Sequence, residues 1–470
     1  MRILSFVARN HRSFRDEFFL DMTRESLRTN IPREGESWTQ HLYSVAAIFG
    51  ANASGKTAII RAFQYLASAL AHSAGQWTDR PFITRDPFRL DSTSRESESF
   101  YALDFLLNIP SEVLVNSGFP AQDQADAEEY RFNYEFSVDP SGVKHEFLQM
   151  YRSSRPTVLF DREGSDVSLG GKLGRIEVSP KELVLSRVLR VNRGVLTAIS
   201  EAMLDGLTIF NVGDEERDKR LSNITGQLAA GRLRFHDLVD LARIADVGVE
   251  EISVEETEVP PRVLEILKNI QALSGSDEVP VEDPEATSES SQKAIARSLR
   301  FRHRSEDLNE RDYHFGLENE SSGTLAWLAL AVEALKVLRS GGLLCVDELD
   351  TSLHPQLAAL LVSLFQNPEY NRNGSQLIFT SHDVSLLGPQ SDLNLEKKQI
   401  WYVDKDTAGA SELYSLDDFA NIKKNSNISK QYLEGRFGAI PRLAPSIIHS
   451  LIGNFDSEDN REEFDYGQEE

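Results

Sequence analysis

Cysteine is almost missing. A single Cys345 in 470 residues allows neither an internal disulfide nor a thiolate metal cluster, so a disulfide scaffold and a zinc finger are both excluded. No apolar run reaches the roughly 20 residues that a membrane span needs. The opening residues Met1-Arg2-Ile3-Leu4-Ser5-Phe6 alternate like a strand and do not form the apolar stretch of a signal peptide. No internal repeat is visible. Positive charge is also short, with 50 Lys and Arg against 74 Asp and Glu. The resulting net charge of −24 opposes sequence-independent nucleic-acid binding through the whole surface. What remains is a chain with 40% hydrophobic residues, enough for a sizeable core, and the expectation is a cytoplasmic, membrane-free protein of two or three domains.

Charge and composition divide the chain. Eight carboxylates against Arg461 give residues 456–470 a charge of −7, the pattern of a solvated acidic tail. Residues 274–291 hold two valines and an alanine as their only aliphatics, among four Glu, two Asp and two Pro, and read as a flexible surface segment. Short strands are predicted at 3–7, 17–21 and 45–49, the last fully apolar as in a sheet buried on both faces, with a helix from Lys56 to about His72. From Phe100 to about Val178 the pattern is β-rich, including a hairpin of 130–136 and 144–151 turning through Asp139-Pro140-Ser141-Gly142. Helical spacing dominates 181–273 apart from the strand-like 249–254. The expected division is a core half with a β-rich lobe (1–180), a mainly helical insertion (181–296), a second core half (297–455) and the tail (456–470).

Four segments carry chemistry. Gly50-Ala51-Asn52-Ala53-Ser54-Gly55-Lys56-Thr57 fits G-x-x-x-x-G-K-[ST] between a strand and a helix. Its glycines let backbone N–H groups close around phosphate, Lys56 reaches the β- and γ-phosphates, and the Thr57 hydroxyl holds Mg²⁺. Gly342–Glu348 is a buried strand ending in two carboxylates, with Asp347 expected on Mg²⁺ and Glu348 as the base that activates water. Cys345 simply packs within that strand. Gln376–Asp383 repeats the layout, and His382 is placed to donate to the γ-phosphate. Glu320-Ser321-Ser322-Gly323-Thr324 opens an apolar helix, where Ser321 or Ser322 suits both a helix cap and an anion site. Asp404-Lys405-Asp406 follows a strand at 399–403 and reads as a turn, not a metal motif.

In chain order (the loop at 50–57, the Ser-Ser-Gly helix start at 320–324, the Asp-Glu strand and the His strand) the four segments resemble the ABC-type ATPases of the SMC, RecF and OLD class. Glu320–Thr324 stands where that class has Leu-Ser-Gly-Gly-Gln, so Ser321 and Gly323 carry over while Glu320 and Thr324 depart. Leu349–Pro355 resembles its D-loop, and Asn10-His11-Arg12-Ser13 resembles its Asn-Phe-Arg-Ser, whose arginine approaches the γ-phosphate. Residues 237–252 and 432–441 resemble a compact bacterial branch that includes RloA-like and abortive-infection ATPases and the ATPase of the PARIS anti-phage system. The Q-loop glutamine has no counterpart readable from the sequence. There is no long heptad array, so a long-armed tether is not expected, and with 88 residues after His382 neither is a Toprim nuclease in this stretch.

The resemblance implies an α/β ATPase head with an antiparallel β lobe and an inserted helical lobe. It implies a homodimer clasping two Mg·ATP, each held by one subunit's Arg12, Gly50, Asn52–Thr57, Asp347, Glu348 and His382 and the other's Ser321 and Gly323. The switch would control an effector such as a nuclease in anti-phage defence. The alternative is a RecF-like DNA-binding repair ATPase, using the one dense basic stretch, Arg297, Arg300, Arg302 and Arg304. A transporter motor is disfavoured by the large insertion and the altered signature.

Overall fold

The computed structural model describes residues 1–440 except 81–82, 120–128, 154, 212, 259–261, 263–294, 306–313, 390, 392, 421 and 424–425. The segments 274–291 and 456–470 singled out by composition lie outside the described residues.

The fold is α/β. Six strands build the central sheet: β3 (Val45–Phe49), β9 (Leu207–Phe210), β12 (Leu343–Val346), β13 (Gln376–Ser381), β14 (Ile400–Lys405) and β15 (Ser411–Ser415). Their order is β15-β14-β3-β13-β12-β9, parallel throughout except for β15, which closes one edge as a hairpin with β14. Alternation along each strand fills two separate cores. Ala46, Ile48, Leu343, Cys345 and Ile378 face one of them, while Val45, Ala47, Phe49, Leu344, Val346 and Phe379 face the other. Both faces are covered, which explains the unbroken apolar runs.

On the first face lies α1 (Lys56–His72), with α2 (Val195–Asp205) and a seven-stranded antiparallel sheet. That sheet joins β1 (Arg2–Arg9), β2 (Phe18–Asp21), β4 (Ser99–Asn108), β5 (Glu129–Asp139), β6 (Gly142–Tyr151), β7 (Pro156–Glu163) and β8 (Asp166–Leu169) in the order β2-β1-β4-β5-β6-β7-β8. The first two strands of the chain thus join the β lobe rather than the central sheet. A fully buried ion pair, Glu146 with Arg162, ties this lobe to the following segment, because Glu146 also accepts from the backbone N–H of Val184 (2.6 Å) and Leu185 (3.2 Å). On the second face lie α3 (Asp214–Ala229), α4 (Phe235–Ala245), α5 (Ser322–Ser340) and α6 (Pro355–Gln366). An antiparallel ribbon of β10 (Val249–Glu258) and β11 (Ile295–His303) packs beside α3 and α4 through Val249, Ile252, Leu299 and Phe301.

One expectation needs correcting. The stretch 181–273 is not helical up to Val249: Leu207–Phe210 form β9, paired in parallel with β12 from Leu343 to Val346. Four residues are too few to show a period, and only the exposed edge of β12 makes them a strand. The ribbon strand also runs past Val254 to Glu258, because β11 pairs with its full length. No described helix is long and apolar enough to cross a membrane.

Candidate functional site

In a parallel sheet, loops at the carboxyl ends of the strands meet along one edge, where ligands bind. Here those loops follow β3, β12 and β13, and they converge on one cleft of about 720 Å³.

The loop after β3 is closely packed. A Cβ on Gly50 would stand 2.5 Å from the Val403 carbonyl oxygen. Gly55 has φ +118°, and its missing Cβ would collide with the hydroxyls of Ser411 and Ser13. Only glycine fits these two positions. The Ser411 hydroxyl donates to Ser54 O at 2.5 Å, binding the β14–β15 hairpin to the loop. Lys56 opens α1 and is buried. Its Nζ donates to Gly50 O (2.7 Å) and Ala51 O (3.0 Å) and lies 3.2 Å from His382 Nδ1. Burial pulls its pKa down to about 8 although Glu348, Asp350 and Asp347 pull it upward.

Beyond β12, Asp347 Oδ1 accepts hydrogen bonds from Thr380 Oγ1 (2.7 Å) and Thr57 Oγ1 (3.3 Å). Glu348 adopts φ +51°, held by Thr380 Oγ1, which accepts from its N–H at 2.7 Å. This turn brings its carboxylate to the cleft, where Oε1 lies 3.5 Å from His382 Nε2 and Oε2 accepts from Thr351 Oγ1 at 3.3 Å. The N–H of His382 donates to Asp350 Oδ1 at 3.1 Å. A cation, a hydroxyl, and a carboxylate beside an imidazole thus line one cavity, and the buried Asp347 backs its wall through its contact with Thr57.

Arg12 reaches the same cleft from the β lobe. Its φ is +53°, its N–H donates to Asp86 O (2.7 Å), and its guanidinium lies 3.3 Å from the Asp86 carboxylate. Asn10 holds this rim: its Nδ2 donates to Ser94 O (2.7 Å) and Ser97 O (3.1 Å), and its Oδ1 accepts from Phe88 N (2.9 Å). Segment 86–90 therefore lines the cleft with Lys405 and Gly409.

Ser321 and Gly323 lie outside the lining of this cleft. Ser321 caps α5, its Oγ accepting from Thr324 N at 3.0 Å, and a Cβ on Gly323 would meet Ser352 O of the loop after β12 at 3.0 Å. The helix that Ser321 opens packs on the sheet face opposite α1, so one chain does not bring Ser321 to Lys56.

The basic stretch is not a bare strip. The register of the ribbon sets Arg297 against Glu256 (2.7 Å), Arg300 against Glu255 (2.6 Å), and Arg302 against Glu250 (2.7 Å) and Glu251 (3.0 Å). Arg304 follows β11, its N–H donating to Gly248 O at 2.8 Å. As expected, Asp404–Asp406 turns the chain: Asp406 Oδ1 accepts from Ala410 N at 2.8 Å within the β14–β15 hairpin.

Two residues were missed by sequence reasoning. Thr380 carries both acidic residues, and its signal is a hydroxyl at the end of an apolar strand. Asn211 follows β9, and Phe210 O accepts from Asp347 N at 3.0 Å, which sets Asn211 beside Asp347. Ile209 packs toward the α1 side and Phe210 toward the other, so alternation turns Asn211 to the side of Asp347 and Thr57. Its Oδ1 is buried without a hydrogen-bond partner among the described residues. Nothing in a segment read as helical could have marked it. The Asp347 carboxylate and the Thr57 hydroxyl, 3.3 Å apart, are oxygen donors that suit a hard cation such as Mg²⁺.

A family profile described as "AAA domain, putative AbiEii toxin, Type IV TA system" matches residues 45–388. Among solved structures, the chain is similar to an SMC head bound to the C-terminal winged-helix domain of ScpA, at 13% identity and TM-score 0.39, covering 92% of this chain and all of that one. The SMC head domain from Thermotoga maritima aligns at 14% identity and TM-score 0.37, over 88% and 99% of the two chains. The recombination mediator RecF with ATP aligns at 12% identity and TM-score 0.31, over 88% and 97%. No curated protein matches the sequence.

Proposed function

Because the chain belongs to the AbiEii-type AAA family of ATPases, we propose that it is an ATP-hydrolysing switch that dimerises around Mg·ATP and controls an effector in bacterial anti-phage defence. The observation that carries this reading is the convergence of the loops after β3, β12 and β13 on one cleft, with Lys56, Thr57, Glu348 and His382 lining it and Asp347 bonded to Thr57 behind it.

Gly50 and Asn52–Gly55 wrap the phosphates with backbone N–H groups, and Lys56 exchanges its carbonyl partners for the β- and γ-phosphates. Thr57 and Asp347 would hold Mg²⁺, and the unpartnered Oδ1 of Asn211, on the strand end beside Asp347, would be available to accept from a ligand there. Bound there, the ion neutralises phosphate charge. Glu348 takes a proton from the attacking water, and the water oxygen forms the new bond to the γ-phosphorus as the bond to the ADP oxygen breaks. His382 leaves Glu348 to donate to the γ-phosphate, and Arg12 faces that phosphate from the β lobe. Ser321 and Gly323 serve the nucleotide of a second chain, which suits their distance from their own cleft. Hydrolysis then loosens the dimer, and an effector such as a nuclease reads the change. The family's toxin–antitoxin description supports the defensive role. A RecF-like role in DNA repair has less support, since Arg297, Arg300 and Arg302 are already paired with glutamates.

Three variants test the reading by particle size with and without ATP, beside phosphate release. Glu348→Gln binds ATP and accumulates the dimer without turnover. Lys56→Ala fails to bind, and Ser321→Arg binds but does not dimerise. Hydrolysis at the parental rate by Glu348→Gln removes Glu348 as the base, and normal assembly by Ser321→Arg removes the composite site.

A further inference from the structure

Glu320 precedes the cap of α5, where an apolar residue would ordinarily staple the helix start. Its side chain is only 3% exposed. A carboxylate at such a place is costly unless it is paired. Its partner is His303 Nε2 at 2.7 Å, the last residue of β11. The other ring nitrogen of His303 lies 4.0 Å from the carboxylate of Asp246, which ends α4, and Phe315 meets the ring edge-on. Gly248 permits this junction, because a Cβ there would stand 3.1 Å from Asp246 Oδ1 and 3.3 Å from His303 Nδ1. A second tie, Trp327 Nε1 to Leu241 O at 2.8 Å, joins α5 to α4 one turn further on. On its other side the start of α5 rests against Ser352 O beneath Gly323.

Ser321 and Gly323 are thus clamped between the loop after β12 and the end of the ribbon. We infer that the His303–Glu320 pair is a positioning contact through which the β10–β11 ribbon sets Ser321 and Gly323 for the nucleotide of a second chain, so that the ribbon governs turnover from outside the cleft. This rests on the composite-site reading above. Neither residue lines the cleft that holds Lys56, so the pair acts on the transition state of the partner's site and not on ATP capture by its own chain.

The test measures kcat and KM for ATP at matched protein concentration. Glu320→Ala and His303→Ala each lower kcat by about tenfold to a hundredfold, the loss typical of a misplaced group about 1 Å from its working position. KM stays within about twofold, since Lys56 and the loop are untouched. The double variant is no worse than either single one. Glu320→Gln keeps an acceptor and His303→Gln keeps a donor, so each retains most of the turnover, a rescue that loss of folding would not allow. Parental kcat in both alanine variants, losses that add in the double variant, or no rescue by the glutamines overturns the inference. Ser321→Arg separates the two levels. If it is inactive while the alanine variants are parental, only the coupling falls. If it assembles and hydrolyses normally, the composite-site reading falls, and this inference with it.

Discussion

Thr380→Val removes one hydroxyl from a fully buried site without changing its shape. That hydroxyl donates to Asp347 Oδ1 at 2.7 Å and accepts from Glu348 N at 2.7 Å. A hydrogen bond to a carboxylate contributes about 1.5–3 kcal/mol, and the backbone N–H left without a partner costs about 1–3 kcal/mol. The new methyl group recovers at most about 0.8 kcal/mol. The net loss is about 3 kcal/mol. For a cooperative unit of about 200 residues this lowers the melting temperature by roughly 6–12 °C. Asp347 would keep only its 3.3 Å contact with Thr57, and Glu348 would lose the bond that holds its φ of +51°, so kcat falls as well, by about tenfold or more. Thermal melting followed by tryptophan fluorescence, beside phosphate release at saturating ATP, reads both effects. Thr380→Ser is the control, because it keeps the hydroxyl and sacrifices only a methyl group. A valine variant that melts within about 2 °C of the parent and hydrolyses ATP normally would refute the assignment of Thr380 as the support of both acidic residues.

Lys56, with its pKa held down to about 8 by burial, loses its proton in the folded chain between pH 8 and 10.5 while the unfolded chain keeps it, so stability rises with pH across that window. Phosphate requires the charged form, so ATP binding near pH 9 takes up a proton and weakens as pH rises; calorimetry in two buffers of different ionisation heat that finds no uptake contradicts this. His11, pushed down to about 4 by burial, stays neutral in the folded chain while the unfolded chain binds a proton below about 6.5. Its contribution is therefore complete above pH 6.5 and lost as pH falls toward 4, up to about 3 kcal/mol at about 1.4 kcal/mol per pH unit. His11→Gln flattens this acid limb in denaturant titrations, and an unchanged limb would assign it to other groups.

The sequence alone determined what neighbouring residues decide together. A buried strand, a glycine loop and a helix start are consecutive in the chain, so Gly50–Thr57 declares itself, and the acids closing the apolar run before Asp347 do the same. Tertiary structure decided whatever depends on residues far apart. Leu207–Phe210 become a strand only because β12 offers a free edge, and that pairing brings Asn211 beside Asp347. The hydroxyl of Thr380 acquires its role from residues 33 and 32 positions away. The arginines of β11 read as a basic patch in one dimension, yet the ribbon register sets each against a glutamate more than 40 positions earlier. Glu320, which looks in the sequence like a departure from a motif, finds in His303 the partner that makes its burial affordable. The physical reason is common to all of these. Local sequence sets backbone propensity and alternation, whereas hydrogen-bond partners, charge compensation and burial arise only when the sheet order brings distant segments to the same edge.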